Sequence, residues 1–350
     1  MIISISCKKK VLPILYEAIN SAGSHSLALK TDSTLWAWGY NDHGQLGDGT
    51  FVNKNSPVKI GIGYSVISAG VHHSMALKTN GTLWGWGLNG FGQLGDGTMM
   101  DKGLPVFIGD DYASIDVGYN HTVALKKDGT IWTWGSNRYG QLGDGTFEDK
   151  NKPVMIGTEY LAIASGADFT LALKTDGSLW AWGKNDDGQL GDGTFITKNT
   201  PILIGPGYSY ITTGWRNSFA LKSDGNLWAW GINYGSLGDG TTENKASPVL
   251  IGSNYIEIAA GSAHTLALKK DNTLWAWGYN DHGQLGDGTF QSKNTPVMIG
   301  SGYSSIAAGS RHSLALKTDG TLWTWGFNGN GELGDGTFQD RNRPVLIGSY

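Results

Sequence analysis

Apolar and polar residues alternate along short segments of this chain, and the same set of segments recurs seven times. In the last copy, residues 312–317 and 321–326 alternate with period two, and an Asp-Gly pair at 319–320 separates them. Period two indicates β-strands, and Asp-Gly between them is typical of a type I′ hairpin turn. A short apolar segment at 303–309 precedes this pair, and a Pro-Val-x-Ile-Gly segment at 344–348 follows it. Each copy therefore predicts four antiparallel strands, named A to D in chain order, with proline at the start of an edge strand D.

The spacing of the copies predicts how the strands assemble. Trp-x-Trp-Gly recurs with tryptophan pairs at 36/38, 84/86, 132/134, 180/182, 228/230, 275/277 and 323/325. Five of the six intervals are 48 residues, and the fifth is 47 because one residue is missing within 231–237. A repeat of this length with four short strands predicts an all-β fold, a seven-bladed β-propeller of four-stranded antiparallel blades.

The repeat also predicts the domain limits. Residues 1–15 are expected to be an N-terminal tail or a closing strand, and residues 16–350 a single propeller. The predicted blades are 16–62, 63–110, 111–158, 159–206, 207–253, 254–301 and 302–350. Because both faces of a blade are covered, we expect the indoles of one blade to lie over the Leu and Ala face of the next.

Composition limits the possible functions. The net charge of −4 gives no electrostatic reason to expect nucleic acid or a membrane surface as a partner. The single cysteine, Cys7, excludes an internal disulfide framework and favours a reducing compartment. The apolar segment at the start of the sequence is too short for a signal peptide, and no apolar segment of the chain is long enough to span a membrane. We expect a cytoplasmic, monomeric protein.

Two recurring motifs could carry chemistry, and we interpret both as structural. Histidine recurs at strand B in five copies, and no Asp, Glu or Cys recurs beside it. A buried histidine that is hydrogen-bonded to the backbone is therefore the favoured interpretation. Leu-Gly-Asp-Gly-Thr occurs in all seven copies and supplies one carboxylate each, too few for calcium, so the Asp is expected to hold a local turn. No nucleophile–base pair stands out. We therefore expect no catalytic residue, no cofactor and no metal.

The irregular positions are the better candidates for function. A–B turns and C–D loops emerge at one end of a four-strand meander, and their sequences vary, whereas the B–C turns are uniform. Aromatic and arginine side chains at loop tips are typical of protein-binding surfaces. Trp215 is the one tryptophan outside the repeat frame. The residues expected to contact a partner are Trp215, Arg216, Arg138, Tyr139, Phe91, Tyr119, His72, Tyr234 and Arg311. Drift of unconstrained loops is the alternative.

The repeat unit, with His-Ser-Leu-Ala-Leu-Lys, Leu-Trp-x-Trp-Gly and Gly-Gln-Leu-Gly-Asp-Gly-Thr, resembles the regulator of chromosome condensation repeat over about residues 16–348. This resemblance implies a seven-bladed propeller. The superfamily includes a guanine-nucleotide exchange factor for a small GTPase, a plant ultraviolet-B photoreceptor and a bacterial β-lactamase inhibitor, so fold does not select the function. We expect a non-enzymatic scaffold that binds a protein partner. The alternatives are a guanine-nucleotide exchange factor and a proteinaceous enzyme inhibitor.

Overall fold

Seven four-stranded antiparallel sheets, each formed by one continuous stretch of chain, make up the computed structural model of this protein. The structure describes residues 15–348, which contain strands and turns but no helix. In particular, this part of the chain has no helix that could cross a membrane. The predicted all-β, seven-bladed architecture is confirmed.

The strands follow one another as follows. Blade 1 contains β1 (Tyr16–Ser21), β2 (His25–Lys30), β3 (Thr34–Gly39) and β4 (Lys54–Ile62). Blade 2 contains β5 (Tyr64–Ala69), β6 (His73–Lys78), β7 (Leu83–Gly87) and β8 (Lys102–Gly109). Blade 3 contains β9 (Tyr112–Val117), β10 (His121–Lys126), β11 (Ile131–Gly135) and β12 (Lys150–Gly157). Blade 4 contains β13 (Tyr160–Ser165), β14 (Phe169–Lys174), β15 (Leu179–Gly183) and β16 (Lys198–Gly205).

The last three blades repeat the arrangement. Blade 5 contains β17 (Tyr208–Thr213), β18 (Asn217–Lys222), β19 (Leu227–Gly231) and β20 (Lys245–Gly252). Blade 6 contains β21 (Tyr255–Ala260), β22 (His264–Lys269), β23 (Thr273–Gly278) and β24 (Lys293–Ser301). Blade 7 contains β25 (Tyr303–Ala308), β26 (His312–Lys317), β27 (Leu322–Gly326) and β28 (Arg341–Ile347). The A strands of neighbouring blades contact each other around the central axis, so strand A is innermost and strand D outermost.

The hairpin turn between strands B and C differs from the predicted type I′ turn. In blade 3, Gly129 N donates to Lys126 O, and Gly129 has φ +79°, whereas Asp128 is not among the residues with positive φ. The turn therefore begins two residues before the Asp and ends on one left-handed residue, as in three-residue hairpin loops. Asp128 instead accepts a hydrogen bond from Thr130 N at 3.0 Å.

Strand D also begins earlier than predicted. It starts three residues before its proline, for example at Lys54 rather than Pro57 in blade 1. A register shift between Ala37 and Gly39 lets Gly39 pair with Lys54. The proline is tolerated because strand D is an edge strand, so that the missing N–H removes no hydrogen bond between strands.

The contact between blades is a set of hydrogen bonds that share one carbonyl. Gln93 O of blade 2 accepts Trp134 Nε1 at 2.9 Å and Thr122 Oγ1 at 2.7 Å, both from blade 3. His73 Nε2 of blade 2 lies 3.1 Å from the same hydroxyl. Because Thr122 uses its hydrogen on Gln93, the histidine is the donor in that bond. Gly95 (φ +78°) lies so close that a Cβ there would be 2.7 Å from Trp134 Nε1.

The wheel closes through the same contact. Glu332 O of blade 7 accepts Trp38 Nε1 at 2.8 Å and Ser26 Oγ at 3.0 Å from blade 1. His312 Nε2 lies 2.9 Å from Ser26 Oγ. The predicted tail or closing strand at residues 1–15 lies, apart from Leu15, outside the described residues.

The two tryptophans of each pair have different environments, which the sequence prediction did not distinguish. Trp134 is fully buried against blade 2, which confirms that indoles pack between blades, although the blade they cover is the preceding one. Trp132 is only half-buried. Lys126 Nζ lies 5.0 Å from its ring centroid and 5.1 Å from that of Tyr112, a cation–π arrangement found in all seven blades. The uniform lysines at the B–C end therefore cover the outer indoles.

We predict that Trp134→Ala lowers the free energy of unfolding by about 3–5 kcal/mol, because it leaves a cavity and removes one of the two donors to Gln93 O. Trp132→Ala, the matched control, should cost clearly less because its ring is partly in water already. Urea unfolding followed by circular dichroism measures both. Equal losses for the two variants would contradict the assignment of Trp134 as the contact between blades.

Candidate partner-binding face and central channel

The variable turns and loops share one end of the wheel, which we call the loop face. In every blade a C–D loop residue donates its N–H to an A–B turn carbonyl, as Ser136 N does to Asn120 O at 2.8 Å. The A–B turns and C–D loops are therefore neighbours, as the meander predicts.

Backbone hydrogen bonds between blades fix the A–B turns around the axis. Tyr119 N donates to Ala167 O at 3.1 Å, Ala167 N to Trp215 O at 2.8 Å, and Trp215 N to Gly261 O at 3.3 Å. Ser310 N donates to Gly23 O at 2.8 Å across the closure. The inner edge of the loop face is thus held in place before any partner binds, which lowers the entropy lost on binding.

Three of the predicted residues meet at a cavity of about 530 Å³ in the centre of the loop face, which we call the mouth. Tyr119, Trp215 and Arg311 line it together with Phe327 and Asn330, which were not predicted. Trp215 is 38% exposed, which is unusual for an indole in this protein. The mouth therefore combines exposed aromatic surface with one guanidinium.

Two more predicted residues lie next to the mouth. The guanidinium carbon of Arg216 is 4.5 Å from the Trp215 ring centroid, and its Nη1 is 3.4 Å from Asp187 Oδ2. The ring of His72 lies 6.0 Å from that of Tyr119 and 5.1 Å from that of His43. Burial, with a smaller effect of His43, lowers the pKa of His72.

Arg138 and Tyr139 form a separate group on the C–D loop of blade 3. Arg138 Cζ lies 5.7 Å from the Tyr139 ring centroid. Lys184 Nζ, from blade 4, lies 4.4 Å from the same centroid. Asp168 faces Lys184, Arg216 and Arg138, and burial raises its pKa against the effect of those cations.

The remaining two predicted residues are not brought to the mouth. Phe91 is 41% exposed and Tyr234 is 60% exposed, and neither lines the cavity. They lie on the C–D loops of blades 2 and 5, between β7 and β8 and between β19 and β20. A partner that contacts all nine residues would have to cover most of the loop face.

The two motifs interpreted as structural have the following roles. The strand-B histidines are fully buried, and the partner that all five share is a Ser or Thr hydroxyl of the next blade rather than the predicted backbone group. His264 has in addition a backbone hydrogen bond to His312. Burial lowers the pKa of His121 to about 3, so the ring is neutral. In Leu-Gly-Asp-Gly-Thr, Asp144 accepts Thr146 N at 2.9 Å and Asn137 Nδ2 at 3.0 Å, which confirms the turn.

A second group of polar residues, which the sequence analysis missed, lies below the mouth in the central channel. Asp116, Tyr210 and Glu257 project from three different A strands into a cavity of about 250 Å³. Five residues line both this cavity and the mouth, so the two are continuous. The signal was available in the alignment of the seven copies, because Asp116 is the only acid in its column and Glu257 the only acid in the column two places earlier.

Asp116 is the most perturbed of these groups. Burial raises its pKa to about 6, although Ser165 N, Ser68 Oγ and Val117 N donate to the carboxylate and oppose the shift. Burial also raises the pKa of Glu257, against hydrogen bonds from Ile306 N and Ser305 Oγ. The pKa of Tyr210 is raised by burial and then by the charge of Glu257. The wheel thus holds two carboxylates where ionisation is disfavoured.

This shift predicts a pH dependence. The unfolded chain ionises Asp116 near pH 4 and the folded chain near pH 6. The free energy that neutral Asp116 contributes to folding is therefore fully present below pH 4 and is lost as the pH rises from 4 through 6. Relative to Asp116→Asn, the wild type should gain about 1–2 kcal/mol between pH 7.5 and pH 4.5. A two-unit shift corresponds to about 3 kcal/mol, reduced here because the carboxylate is partly open to the channel.

Urea titrations of both proteins at each pH measure this difference. The comparison cancels other titrating groups, including Glu257, because both proteins contain them. A difference in unfolding free energy that stays constant with pH would show that the Asp116 carboxylate titrates normally.

The chain matches the RCC1-like domain family over residues 9–205 and 109–349. Human WBSCR16 superposes with a TM-score of 0.82 and 22% identity, over 90% of this chain and 94% of that one. Prp20p from Saccharomyces cerevisiae gives 0.81 and 24%, over 96% and 88%. The CRINKLY WD40 ectodomain of the Arabidopsis thaliana receptor kinase ACR4 gives 0.57 and 16%, over 96% and 99%. The structural likenesses support the propeller fold, and the sequence match is decisive: this chain belongs to the RCC1-like domain family.

Proposed function

We propose that this protein is a non-enzymatic scaffold that binds a protein partner through the loop face. The observation that carries the proposal is the mouth, where Trp215, Tyr119 and Arg311 surround a cavity whose backbone is fixed by hydrogen bonds between blades. Exposed Trp, Tyr and Arg side chains at the centre of a surface are the residues that contribute most to protein–protein binding. A rigid frame increases affinity because the loop face loses little conformational entropy when a partner binds.

The chemistry of the loop face favours a protein partner. Lys184 pairs with Asp186 at 3.6 Å and Arg216 pairs with Asp187 at 3.4 Å, so the local charge is mixed rather than uniformly basic. A nucleic-acid partner would require a basic patch to bind its phosphate backbone. The mixed charge of the loop face and the net charge of −4 for the chain do not favour such a partner. The related Prp20p is described by its binding to Gsp1p and histones, both proteins. We extend only the binding of a protein to this chain, which we take to act as a monomer in the cytoplasm.

The decisive experiment is affinity capture with a double variant. Trp215→Ala with Arg138→Ala removes one anchor from the mouth and one from the outer loop group. We expect loss of more than tenfold in the amount of specific partner retained from native lysate, because hot-spot truncations cost about 2 kcal/mol or more each.

The matched control is Lys127→Ala with Leu161→Ala, two exposed residues at the opposite end of the wheel. This control should retain partners at wild-type level. If the loop-face variant retains the same proteins in the same amounts as the control, binding through the loop face is wrong. Thermal unfolding of both variants verifies that the wheel is intact.

A further inference from the structure

Two histidine side chains of the loop face lie next to each other at the junction between blades 1 and 2. His43 belongs to the C–D loop of blade 1, and His72 belongs to the A–B turn of blade 2. Their ring centroids are 5.1 Å apart, and the ring planes are tilted by 60°. Both side chains are half-buried, unlike the fully buried histidines of strand B. An ion from solvent can therefore reach this pair.

The hydrogen bond of His43 determines which of its ring nitrogens is free. His43 Nδ1 lies 3.2 Å from Asp101 Oδ2, and Asn89 N donates to the other oxygen of this carboxylate at 2.8 Å. An ionised carboxylate only accepts hydrogen bonds, so Nδ1 carries the hydrogen and Nε2 of the neutral ring carries the lone pair. A carboxylate on the second nitrogen is typical of a histidine that binds a metal, because it fixes the tautomer and the orientation of the ring.

The ring of His72 has no hydrogen bond to any described residue. The chain contains eight histidines, all within the described residues, and each of the other seven has a hydroxyl or carboxylate partner. His72 Nδ1 is closed off from solvent, whereas Nε2 is not. In the tautomer with the hydrogen on Nδ1, the lone pair is on Nε2. His72 therefore offers a second free lone pair beside that of His43, and no hydrogen bond restrains the rotation of its ring.

The separation of the two rings fits two ligands of one tetrahedral ion. A zinc ion about 2.0 Å from a ring nitrogen lies about 3.2 Å from the ring centroid, and a tetrahedral angle then places two such centroids about 5.2 Å apart. The separation in the structure is 5.1 Å. Tilted aromatic pairs occupy the same range of distances. The two free nitrogens, rather than the ring contact alone, therefore identify the pair as a set of metal ligands.

We propose that His43 and His72 bind one divalent transition-metal ion of the zinc type through their Nε2 atoms. Imidazole nitrogen suits zinc, copper and nickel, whereas calcium and magnesium require oxygen ligands. No group of three or more histidine, cysteine, aspartate or glutamate side chains in the described chain is placed to hold a metal. The chain therefore supplies two ligands, and the other positions of the ion are open to water or to a side chain of another molecule.

The proposed site adjoins the mouth without being part of it. The ring of His72 lies 6.0 Å from that of Tyr119, which lines the mouth. Neither histidine lines the mouth or the central channel. Binding of the ion is therefore independent of the protein-binding role proposed for the loop face.

The junction between blades 6 and 7 is a matched control within the same chain. The C–D loops of blades 1 and 6 are identical up to their first Phe, so His282 is the counterpart of His43. His282 Nδ1 lies 2.8 Å from Asp340 Oδ2, which repeats the carboxylate contact. The counterpart of His72 is Arg311, which cannot bind a metal. This junction therefore has one histidine with its carboxylate but lacks the second ligand.

Isothermal titration of the protein, without a histidine tag, with zinc chloride at pH 7.5 tests the proposal. All proteins carry Cys7→Ser, because a thiol also binds zinc. We expect saturable binding of one zinc ion per chain and no binding of magnesium chloride at the same concentrations. His43→Ala and His72→Ala should each weaken zinc binding by about tenfold or more, because each removes one of two ligands. His282→Ala, the matched control, should leave the affinity unchanged.

A second variant tests whether the histidine pair is sufficient. Arg311→His with Phe327→Leu copies His72 and Leu88 of blade 2 onto blade 7, beside His282. The leucine also removes the Phe327 ring, whose centroid lies 4.9 Å from that of His282. The number of zinc ions bound should rise from one per chain to two, because the loop and its carboxylate partner are already present.

Four results would overturn the proposal. The Cys7→Ser parent protein binds zinc no better than magnesium, either His43→Ala or His72→Ala retains the affinity of the parent, or His282→Ala weakens binding as much as they do. The fourth is a stoichiometry that stays at one ion in the double variant of blade 7. The comparison of zinc with magnesium needs no histidine variant, and thermal unfolding verifies that each variant is folded. Capture of a protein partner by the loop face is measured separately, so either proposal can fail alone.

Discussion

The fold depends on one carbonyl in each C–D loop that is shared by two donors of the next blade. In blade 5 this carbonyl belongs to Ser236, which accepts Trp277 Nε1 and Thr265 Oγ1 at 2.8 Å each, although the loop is one residue shorter and lacks the usual glutamine. The bond therefore uses the backbone, and the side chain can change. Because the blades of the described chain use the same contact throughout, including the closure between blades 7 and 1, no blade needs a strand from another.

This contact explains why the motifs recur. The indole and the hydroxyl are the two donors, the histidine orients the hydroxyl, and the glycine before the motif Asp gives the ring room. Phe169 shows which part is dispensable, because blade 4 lacks the histidine while Ser218 still donates to Gln189 O at 2.7 Å. Asn217 replaces the histidine differently, by donating to Ser236 Oγ at 3.0 Å. The histidine is thus an accessory to the contact, and the shared carbonyl is the constant element.

The sequence predicted the wheel, the strand order and the end at which the variable loops lie, because period-two alternation and a fixed repeat length are local properties. It did not separate Trp132 from Trp134, because both lie on one face of strand C and only the tertiary structure covers one with a blade and the other with lysine. It assigned the histidines to backbone partners, since the hydroxyl lies 49 residues away along the chain. At the site, Trp215 and Arg311 were among the predicted residues, but Phe327, whose N–H donates to Arg311 O, was not, because the sequence does not show which loop side chains lie toward the axis.

The positions of the repeat that vary among the seven blades are those whose residues take no part in the contact between blades. Both faces of each blade are covered, so variation is confined to the loop tips, the outer edge and the channel wall. The column of Asp116 contains Asn20, Ser68, Ala164, Thr212, Ala259 and Ala307 in the other blades. Six blades form without a carboxylate there, so the architecture does not require one. A carboxylate whose ionisation is disfavoured by burial persists in blade 3, and Glu257 repeats the situation on the opposite wall. Two such departures line one cavity, and neither is required by the contact between blades that stabilises the wheel.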